Sequence, residues 1–202
     1  GYTVLLDVGA NVDSKPRHLL QFAVMGSVYA RVILGVPKPT VGLLSVGAEE
    51  SKGNELTKAA YKIFDEKREA LNFIGNVEGG DLFTGKVNVV VCDGFIGNIL
   101  LKSGEALAAR FGSLLRREFS GDIVSTLGGI FTRGALGRFK KKIDYSEHGA
   151  APLLGVQGVV LICHGHSSQK AIKNAIFAAE RALSRNLNAH IMTSLKEMNE
   201  TN

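Results

Sequence analysis

Clusters of small polar residues follow directly after apolar runs at four places in this sequence. They are Asp7, Asn11 and Asp13; Glu49, Glu50, Lys52, Asn54 and Glu55; Asp93 and Asn98; and His164, Ser167 and Ser168. Each cluster also contains glycine, which lets backbone N–H groups approach a ligand closely. A lysine, amide side chains and helix N-termini can hold an anion such as phosphate, so the clusters are candidates for an anion site.

The same residue types also have a purely structural use. Asp, Asn, Ser and Gly cap helices and form turns, and this interpretation requires no ligand. Either interpretation accounts for any one cluster taken alone. The occurrence of four clusters at one edge of a predicted sheet favours a functional site there.

Other familiar chemistries lack their motifs. Residues 42–47 have the glycine spacing of a P-loop, but Ala48 and Glu49 replace the residues that would hold phosphate and magnesium. No dinucleotide fingerprint follows a strand, and the nucleophile elbow of serine hydrolases is absent. His164 and His166 lack a neighbouring set of cysteines or carboxylates, so we expect neither a metal nor a cofactor. No role is assigned to His18, His148, His166 or His190.

A repeated order of elements must position the four clusters. Apolar runs predict strands at residues 3–6, 41–46, 72–74, 87–92 and 159–163, and helices are predicted at 14–34, 55–67, 96–119 and 169–198. Ser14 is the predicted cap of the first helix, with Pro16 in its first turn. Strand, polar turn and helix in repetition predict βαβ crossovers and a mostly parallel sheet covered on both faces. In such α/β folds, ligands bind beyond the carboxyl ends of the strands, where the clusters lie.

The composition is that of an ordinary globular domain. The chain has 202 residues, of which 45% are hydrophobic and 21% charged, and we expect one domain. Its net charge of +5 permits acidic partners. Cys92 and Cys163 lie in apolar runs and are expected to be buried thiols, which favours a cytoplasmic protein. No apolar run is long enough to span a bilayer, and the abrupt opening at Gly1 suggests a fragment or a processed product.

Residues 121–142 differ from the rest in composition. The apolar residues are Ile123, Val124, Leu127, Ile130, Phe131, Leu136 and Phe139, and the cations are Arg133, Arg138, Lys140, Lys141 and Lys142. Basic residues beside an apolar stripe are typical of a helix that lies in a membrane interface. An amphipathic hairpin packed on its own protein or on a second subunit has the same pattern, so both interpretations stay open.

Six motifs along the chain resemble those of the PlsX-type phosphate acyltransferases. They are residues 7–13 (DVGANVD), 46–55 (VGAEESKGNE), 73–78 (FIGNVE), 93–98 (DGFIGN), 153–155 (LLG) and 164–165 (HG). The resemblance runs in order from Gly1 to about Ala182. It implies a three-layer α/β/α fold, similar to phosphotransacetylases and isopropylmalate dehydrogenases, and a homodimer. Because family members carry a long further N-terminal part, the chain is expected to be the C-terminal part of one acyltransferase domain. Whether this part is active alone stays open.

The resemblance also implies a reaction. A fatty acyl group passes from acyl carrier protein to inorganic phosphate, which gives acyl-phosphate for phospholipid synthesis. We expect Lys52 to bind phosphate or the oxyanion. Asp93 and His164 are the candidates for polarising a proton on phosphate or for protonating the leaving thiolate. The residues expected to bind substrate are Asn11, Gly53, Asn54, Asn98 and Gly165.

Two other functions stay open. A phosphotransacetylase would use coenzyme A in place of the carrier protein, whereas a non-catalytic scaffold would recruit lipid enzymes through residues 121–142. A dehydrogenase of similar fold is disfavoured because the dinucleotide fingerprint is absent. The expected partners are acyl carrier protein, phosphate, an anionic membrane and a second copy, packed through the apolar helices at 15–34 or 96–119. Nucleic acid is not expected, and a peripheral hold on the membrane is compatible with a cytoplasmic location.

Overall fold

The computed structural model describes residues 2–143 and 149–200, so His148 lies outside the described residues. Within them the chain forms two compact units. The first comprises residues 2–99, 152–160 and 179–200, and the second comprises residues 100–143, 149–151 and 161–178.

Helices and strands alternate along the described chain. The strands are β1 (Val4–Leu6), β2 (Val41–Leu44), β3 (Phe73–Val77), β4 (Val89–Val91), β5 (Ala151–Pro152) and β6 (Leu161–Ile162). The helices are α1 (Pro16–Val32), α2 (Glu55–Glu66), α3 (Arg68–Leu71), α4 (Gly94–Glu118), α5 (Ile123–Ile143), α6 (Gln169–Ser184) and α7 (Leu187–Glu200). A 3-10 turn at Gly79–Phe83 follows β3.

The first four strands form one parallel sheet in the spatial order β1-β4-β2-β3. Leu6 lies opposite Val91, Val91 lies opposite Leu43, and Leu43 lies opposite Asn76. All four strands therefore end at the same side of the sheet. We call the loops that follow them, residues 7–13, 45–54, 78–81 and 92–98, the carboxyl edge.

One face of this sheet is covered by α1, α2 and α7. Helix α1 buries nine of its seventeen residues, among them Leu19 and Val28. Phe64 of α2 packs edge-on against Phe73 of β3, with ring centroids 5.2 Å apart. Leu187 and other residues of α7 join the same cluster. The helix that is apolar nearly all round is thus a core helix of the chain itself.

The opposite face of the sheet carries a smaller apolar cluster. Val90 packs there with Val77 and Val87, and Leu82 of the 3-10 turn covers them in part. The three valines of β4 are all fully buried, as expected for a parallel strand that is covered on both sides. The chain therefore has the predicted α/β class, with a mostly parallel sheet flanked by helices, consistent with a three-layer α/β/α fold.

The start of α1 differs from the prediction. The helix begins at Pro16 and its cap is Lys15, whereas Ser14 Oγ donates to the carbonyl of Asn11 at 3.1 Å. The N–H of Lys15 donates to Nδ1 of His18 at 3.3 Å. Ser14 is drawn back into the preceding loop, so the predicted capping by Ser14 is wrong, while Pro16 occupies the first turn as predicted.

Three other boundaries differ as well. Strand β3 continues through Val77, so Asn76 lies in a strand and not in the turn after it. Helix α4 begins at Gly94, so the predicted turn at residues 93–95 is in part the first turn of a helix. The predicted helix from residue 169 is divided into α6 and α7, because Asn186 has a left-handed backbone with φ of 50°.

The predicted strand before His164 is not part of the parallel sheet. Strand β6 is two residues long and belongs to a separate two-stranded sheet with β5. Val160 and Ile162 are exposed, so this run lacks the cover on both faces that a central parallel strand requires. The prediction that His164 shares a sheet edge with the other three clusters is therefore wrong, and β3 supplies the fourth strand end.

The second unit contains α4 from residue 100, α5, and α6 as far as residue 178. Residues 123–143 form one helix despite their four glycines. Val124 and Phe131 of this helix are 79% and 88% exposed. The side chains of Ile123, Leu127, Ile130 and Lys140 to Lys142 lie outside the description. Among the described helices, none combines the length and apolar composition needed to cross a bilayer.

Candidate functional site

The loop after β1 is organised by the buried carboxylate of Asp7. Oδ1 accepts hydrogen bonds from the N–H groups of Gly9 and Ala10, both at 2.9 Å. Oδ2 accepts from the N–H of Asn11 at 2.7 Å and from Nδ2 of Asn11 at 2.9 Å. These four bonds satisfy the carboxylate inside its own turn. Asp7 therefore shapes the loop and places Asn11, and Asp13 lies exposed beyond it.

The first turn of α4 lies against this loop at van der Waals distance. The N–H of Gly94 donates to the carbonyl of Asn11 at 2.9 Å. A Cβ atom at Gly97 would overlap the carbonyl oxygen of Asp7, so glycine permits the close approach. A Cβ atom at Gly9, where φ is 127°, would lie 3.6 Å from the side chain of Asn98. The structure thus brings Asn11 and Asn98, predicted from separate motifs, to one place.

Asp93 and Cys92 occupy the start of this turn. Oδ1 of Asp93 accepts from the N–H of Ile96 at 2.9 Å, so Asp93 caps α4. Cys92 is buried, and its Sγ donates to the carbonyl of Asp7 at 3.5 Å. Burial, together with the negative charges of Asp93 and Asp7, raises the pKa of the Cys92 thiol to about 12. The thiol stays protonated at neutral pH and is a poor nucleophile.

The loop after β2 leads into α2 through Gly53 and Asn54. Asn54 Oδ1 accepts from the N–H of Thr57 at 2.9 Å, which caps α2. Gly53 has φ of 108°, and a Cβ atom there would overlap the hydroxyl of Thr57. Only glycine fits that conformation in that space. These two residues fix where the helix begins.

Lys52 is the one cation in the carboxyl edge, and its side chain is exposed. Its N–H donates to the carbonyl of Glu49 at 3.0 Å, which closes the turn that carries it. A Cβ atom at Gly47 would lie 3.0 Å from Cγ of Lys52 and 2.9 Å from Oε2 of Glu49. The missing side chain at Gly47 lets the stem of Lys52 lie against the backbone.

Two polar residues, Ser45 in the carboxyl edge and Asn76 just before it in β3, were not predicted to belong to the site. Asn76 is 7% exposed, and its Nδ2 donates to the carbonyl of Glu49 at 2.8 Å. Its Oδ1 and the hydroxyl of Ser45 are buried without a hydrogen-bond partner among the residues that the structure describes. The sequence did hold a signal, because an Asn inside the apolar run of residues 73–77 has to be explained by a buried contact.

The sheet places these two groups of residues side by side. Strand β2 pairs with β4, and Leu43 lies opposite Val91 near the end of both strands. Adjacent strands lie about 4.8 Å apart. The loops after β1 and β4 and the loops after β2 and β3 thus share one continuous edge. Its amide groups, glycine-rich backbone and one ammonium group can bind an oxyanion. The same loops also carry seven carboxylates, of which Asp7 is satisfied within its own turn and Asp93 caps α4.

His164 and Gly165 lie in the second unit. Nε2 of His164 is 3.0 Å from Oε1 of Glu105, and the other oxygen of Glu105 accepts from Nζ of Lys102 at 3.1 Å. The N–H of Ser167 donates to the carbonyl of His164 at 3.0 Å. Gly165 has open space around its Cα. Glu105 thus holds the imidazole ring of His164 in a fixed direction.

Within residues 2–143 and 149–200, no group of three or more His, Cys, Asp or Glu residues is arranged to hold a metal ion.

Comparison with known proteins places this chain. The sequence model of the family described as "Fatty acid synthesis protein" matches residues 1–190. The chain belongs to this family. Proteins named phosphate acyltransferase are similar to it in Trichlorobacter lovleyi, with 56% identity over 91% of this chain, and in Pelotomaculum thermopropionicum, with 50% identity over 98%. A third, from Desulforudis audaxviator, is 51% identical over 99% of the chain.

The chain spans about half the length of these relatives. It covers 53% of the Trichlorobacter protein, 57% of the Pelotomaculum protein and 59% of the Desulforudis protein. Membership of the fatty acid synthesis protein family confirms the resemblance that the motifs carried. It also gives the carboxyl edge a context, because its four loops all lie inside the matched residues.

Proposed function

We propose that the full-length protein transfers a fatty acyl group from acyl carrier protein to inorganic phosphate. The observation that carries the proposal is the identity of 50–56% to relatives named phosphate acyltransferase. The carboxyl edge supports it with an oxyanion-binding set of groups at the place where α/β folds bind ligands. The product, an acyl-phosphate, would serve phospholipid synthesis.

The reaction needs phosphate to be held close to the thioester carbonyl. An oxygen of hydrogen phosphate attacks that carbon, the carbon–sulfur bond breaks, and the proton from phosphate ends on the departing thiolate. Lys52 is proposed to hold the phosphate, whereas Asn11 and Asn98 offer amide groups to the oxyanion. Because phosphate is already ionised at neutral pH, binding and orientation supply most of what the enzyme must add.

Five other predicted residues remain, and four of them have structural contacts that fit the reaction. Asn54 and Gly53 set the start of α2 next to Lys52. Asp93 caps α4 with one carboxylate oxygen, and the other is proposed to accept the proton of hydrogen phosphate. His164, with its motif partner Gly165, is proposed to protonate the leaving thiolate, on the ground of its family motif and of the ring orientation that Glu105 imposes.

The proposal is tested by an assay with two acyl donors. The full-length protein is mixed with phosphate and either acyl–acyl carrier protein or acyl–coenzyme A, and acyl-phosphate is measured. We expect product from the carrier-protein thioester. Product from coenzyme A thioester alone would favour a phosphotransacetylase, and no product from either would contradict the proposal.

Two further properties are proposed. A homodimer is supported by the exposed apolar residues of α4, among them Leu107 and Phe111. A peripheral hold on an anionic membrane, by a protein that acts in the cytoplasm, is supported by the exposed apolar side chains of α5 and by Arg133 and Arg138 beside them.

A further inference from the structure

Asn76 is hydrogen-bonded to the turn that carries Lys52. The carbonyl oxygen of Glu49 accepts two hydrogen bonds, one from Nδ2 of Asn76 at 2.8 Å and one from the N–H of Lys52 at 3.0 Å. The first comes from a buried side chain of β3, and the second closes the turn that carries Lys52. A single backbone group therefore joins the rigid sheet to the loop with the cation.

The orientation of the Asn76 amide is set by this contact. Only the NH₂ end of an amide donates, so Nδ2 must face the Glu49 carbonyl. That leaves Oδ1 buried, and it has no partner among the described residues. A buried acceptor without a partner is unfavourable, and an apolar side chain would avoid it. The hydrogen bond to the Glu49 carbonyl is therefore what an amide side chain contributes at this position.

The rest of the turn depends on the same anchor. Gly47 lies against the stem of Lys52, and Gly53 follows it with a left-handed backbone. Lys52 itself is exposed. The link through Glu49 is the contact from a buried side chain that holds this turn to the sheet.

We propose that Asn76 is a positioning residue, which fixes the ammonium group of Lys52 for phosphate by anchoring the Glu49–Lys52 turn to β3. This rests on the proposed function, in which Lys52 binds phosphate. Asn76 acts through Lys52, so its loss affects the affinity for phosphate and not the affinity for the acyl donor.

The test uses the full-length protein and the variants Asn76→Ala and Asn76→Leu. Leucine has the same branching at Cγ as asparagine but is larger and cannot donate a hydrogen bond, so it fills the space and keeps the test valid if the alanine variant folds poorly. The matched control is Asn72→Gly. Asn72 lies at the other end of β3, its Nδ2 donates to the carbonyls of Lys38 and Pro39, and its φ of 52° suits glycine.

We expect the KM for phosphate to rise roughly tenfold or more in both Asn76 variants, because a small misplacement of a binding group has large effects. The KM for the acyl donor should stay within about twofold, and the control should change neither. An equal rise of both KM values in Asn76→Leu, or the same pattern in Asn72→Gly, would show a general structural effect and overturn the proposal.

A double-mutant cycle separates positioning from stability. The dissociation constant of inorganic phosphate is measured by calorimetry for the unaltered protein, Asn76→Leu, Lys52→Ala and the double variant. If Asn76 acts through Lys52, its substitution has no further effect once Lys52 is alanine. Additive effects would overturn the proposal. This readout needs no turnover, so a protein that binds phosphate but makes no acyl-phosphate would refute the proposed function and still test the role of Asn76. A protein that binds no phosphate refutes both.

Discussion

Substitution of Lys52 can distinguish a role in phosphate binding from a role in the stability of the fold. Its side chain is exposed at the carboxyl edge, so truncation opens no cavity. We expect Lys52→Ala to lower acyl-phosphate formation by the full-length protein roughly 100-fold, the usual scale for one electrostatic group in an acyl transfer site. The melting temperature should change little, because such surface substitutions alter stability by at most about 0.5 kcal/mol.

Lys62→Ala is the matched control for that experiment. Lys62 is also an exposed lysine, but it lies within α2 and outside the carboxyl edge. Its variant should keep full activity. If both variants lose activity equally, net charge and not position is responsible. If Lys52→Ala stays fully active, the phosphate is held elsewhere.

Cys92 predicts a specific dependence of stability on pH. Burial raises the pKa of its thiol from 9.0 to about 12 in the folded protein, whereas the unfolded chain keeps the ordinary value. The unfolded state therefore loses a proton first as the pH rises above 9, and the stabilising contribution that is complete below pH 9 declines until about pH 12. The slope approaches about 1.4 kcal/mol per pH unit.

The measurement is the free energy of unfolding between pH 8 and pH 11, for the unaltered chain and for Cys92→Ala. Lysine and tyrosine residues titrate over the same range in both proteins, so the difference between the two curves isolates the thiol. We expect the unaltered chain to lose its advantage as the pH rises. Parallel curves would contradict the raised pKa.

At the scale of elements, the sequence predicted what depends on local pattern. The apolar runs gave β1, β2 and β4, because a parallel strand buried on both faces is apolar throughout. Pro16 and Asn54 marked helix starts through their own chemistry. The carboxyl edge followed for three of the four predicted clusters, since parallel strands all end on one side.

What the sequence did not predict depends on contacts between distant residues. The amide of Asn76 is explained only by the carbonyl of Glu49, which lies 27 positions away. The run before His164 has the composition of a core strand, and only its exposure in the structure excludes it from the parallel sheet. Composition describes what a segment can bury, but the rest of the molecule decides whether it is buried.

Helix α4 contains two glycines that should respond in opposite ways to the same substitution. At Gly97 a methyl group would overlap the carbonyl of Asp7 and come within 3.0 Å of Sγ of Cys92. We expect Gly97→Ala to destabilise the chain by about 1–3 kcal/mol or more, as overpacking does. At Gly104 no atom lies within 4 Å of the added methyl group, so Gly104→Ala should stabilise the chain by about 0.5–1 kcal/mol.

Urea unfolding of the two variants beside the unaltered chain measures both effects. The pair controls for the general gain in helix propensity, because each substitution puts alanine in the same helix. A neutral Gly97→Ala variant would mean that α4 can move away from the loop after β1, and the contact would not be a tight one.

Helix α5 is predicted to bind anionic membranes through its exposed apolar side chains. Phe131→Glu should weaken co-sedimentation with vesicles that contain phosphatidylserine, because burial of a large apolar side chain contributes about 1.5–3 kcal/mol. The control is Thr132→Glu, which adds the same charge about 100° further round the helix. Equal loss in both variants would indicate simple charge repulsion, and no loss in Phe131→Glu would exclude this residue from the contact.

At the scale of the whole molecule, the exposed apolar side chains of α4 predict self-association. Leu107 and Phe111 lie one turn apart on the same side of the helix and are 60% and 55% exposed. We expect the full-length protein to be a dimer by light scattering at micromolar concentration. The double variant Leu107→Glu, Phe111→Glu should be a monomer, while Ala109→Glu, on another side of the helix, should remain dimeric. A monomeric unaltered protein would refute the prediction.

The core around α1 includes residues from the end of the chain, and this has a consequence for synthesis on the ribosome. The guanidinium of Arg185 donates to the carbonyls of Val32 and Ile33 at the end of α1, and Arg185 follows Val32 by 153 positions in the sequence. Leu187 and Ile191 pack into the same core as α1. At about 5–20 residues per second, roughly 8–30 s separate the emergence of these partners. During that interval the nascent chain carries an apolar helix whose cover has not yet been translated. The protein therefore depends during its own synthesis on whatever shields that helix, and slow codons before residue 185 would lengthen the exposure.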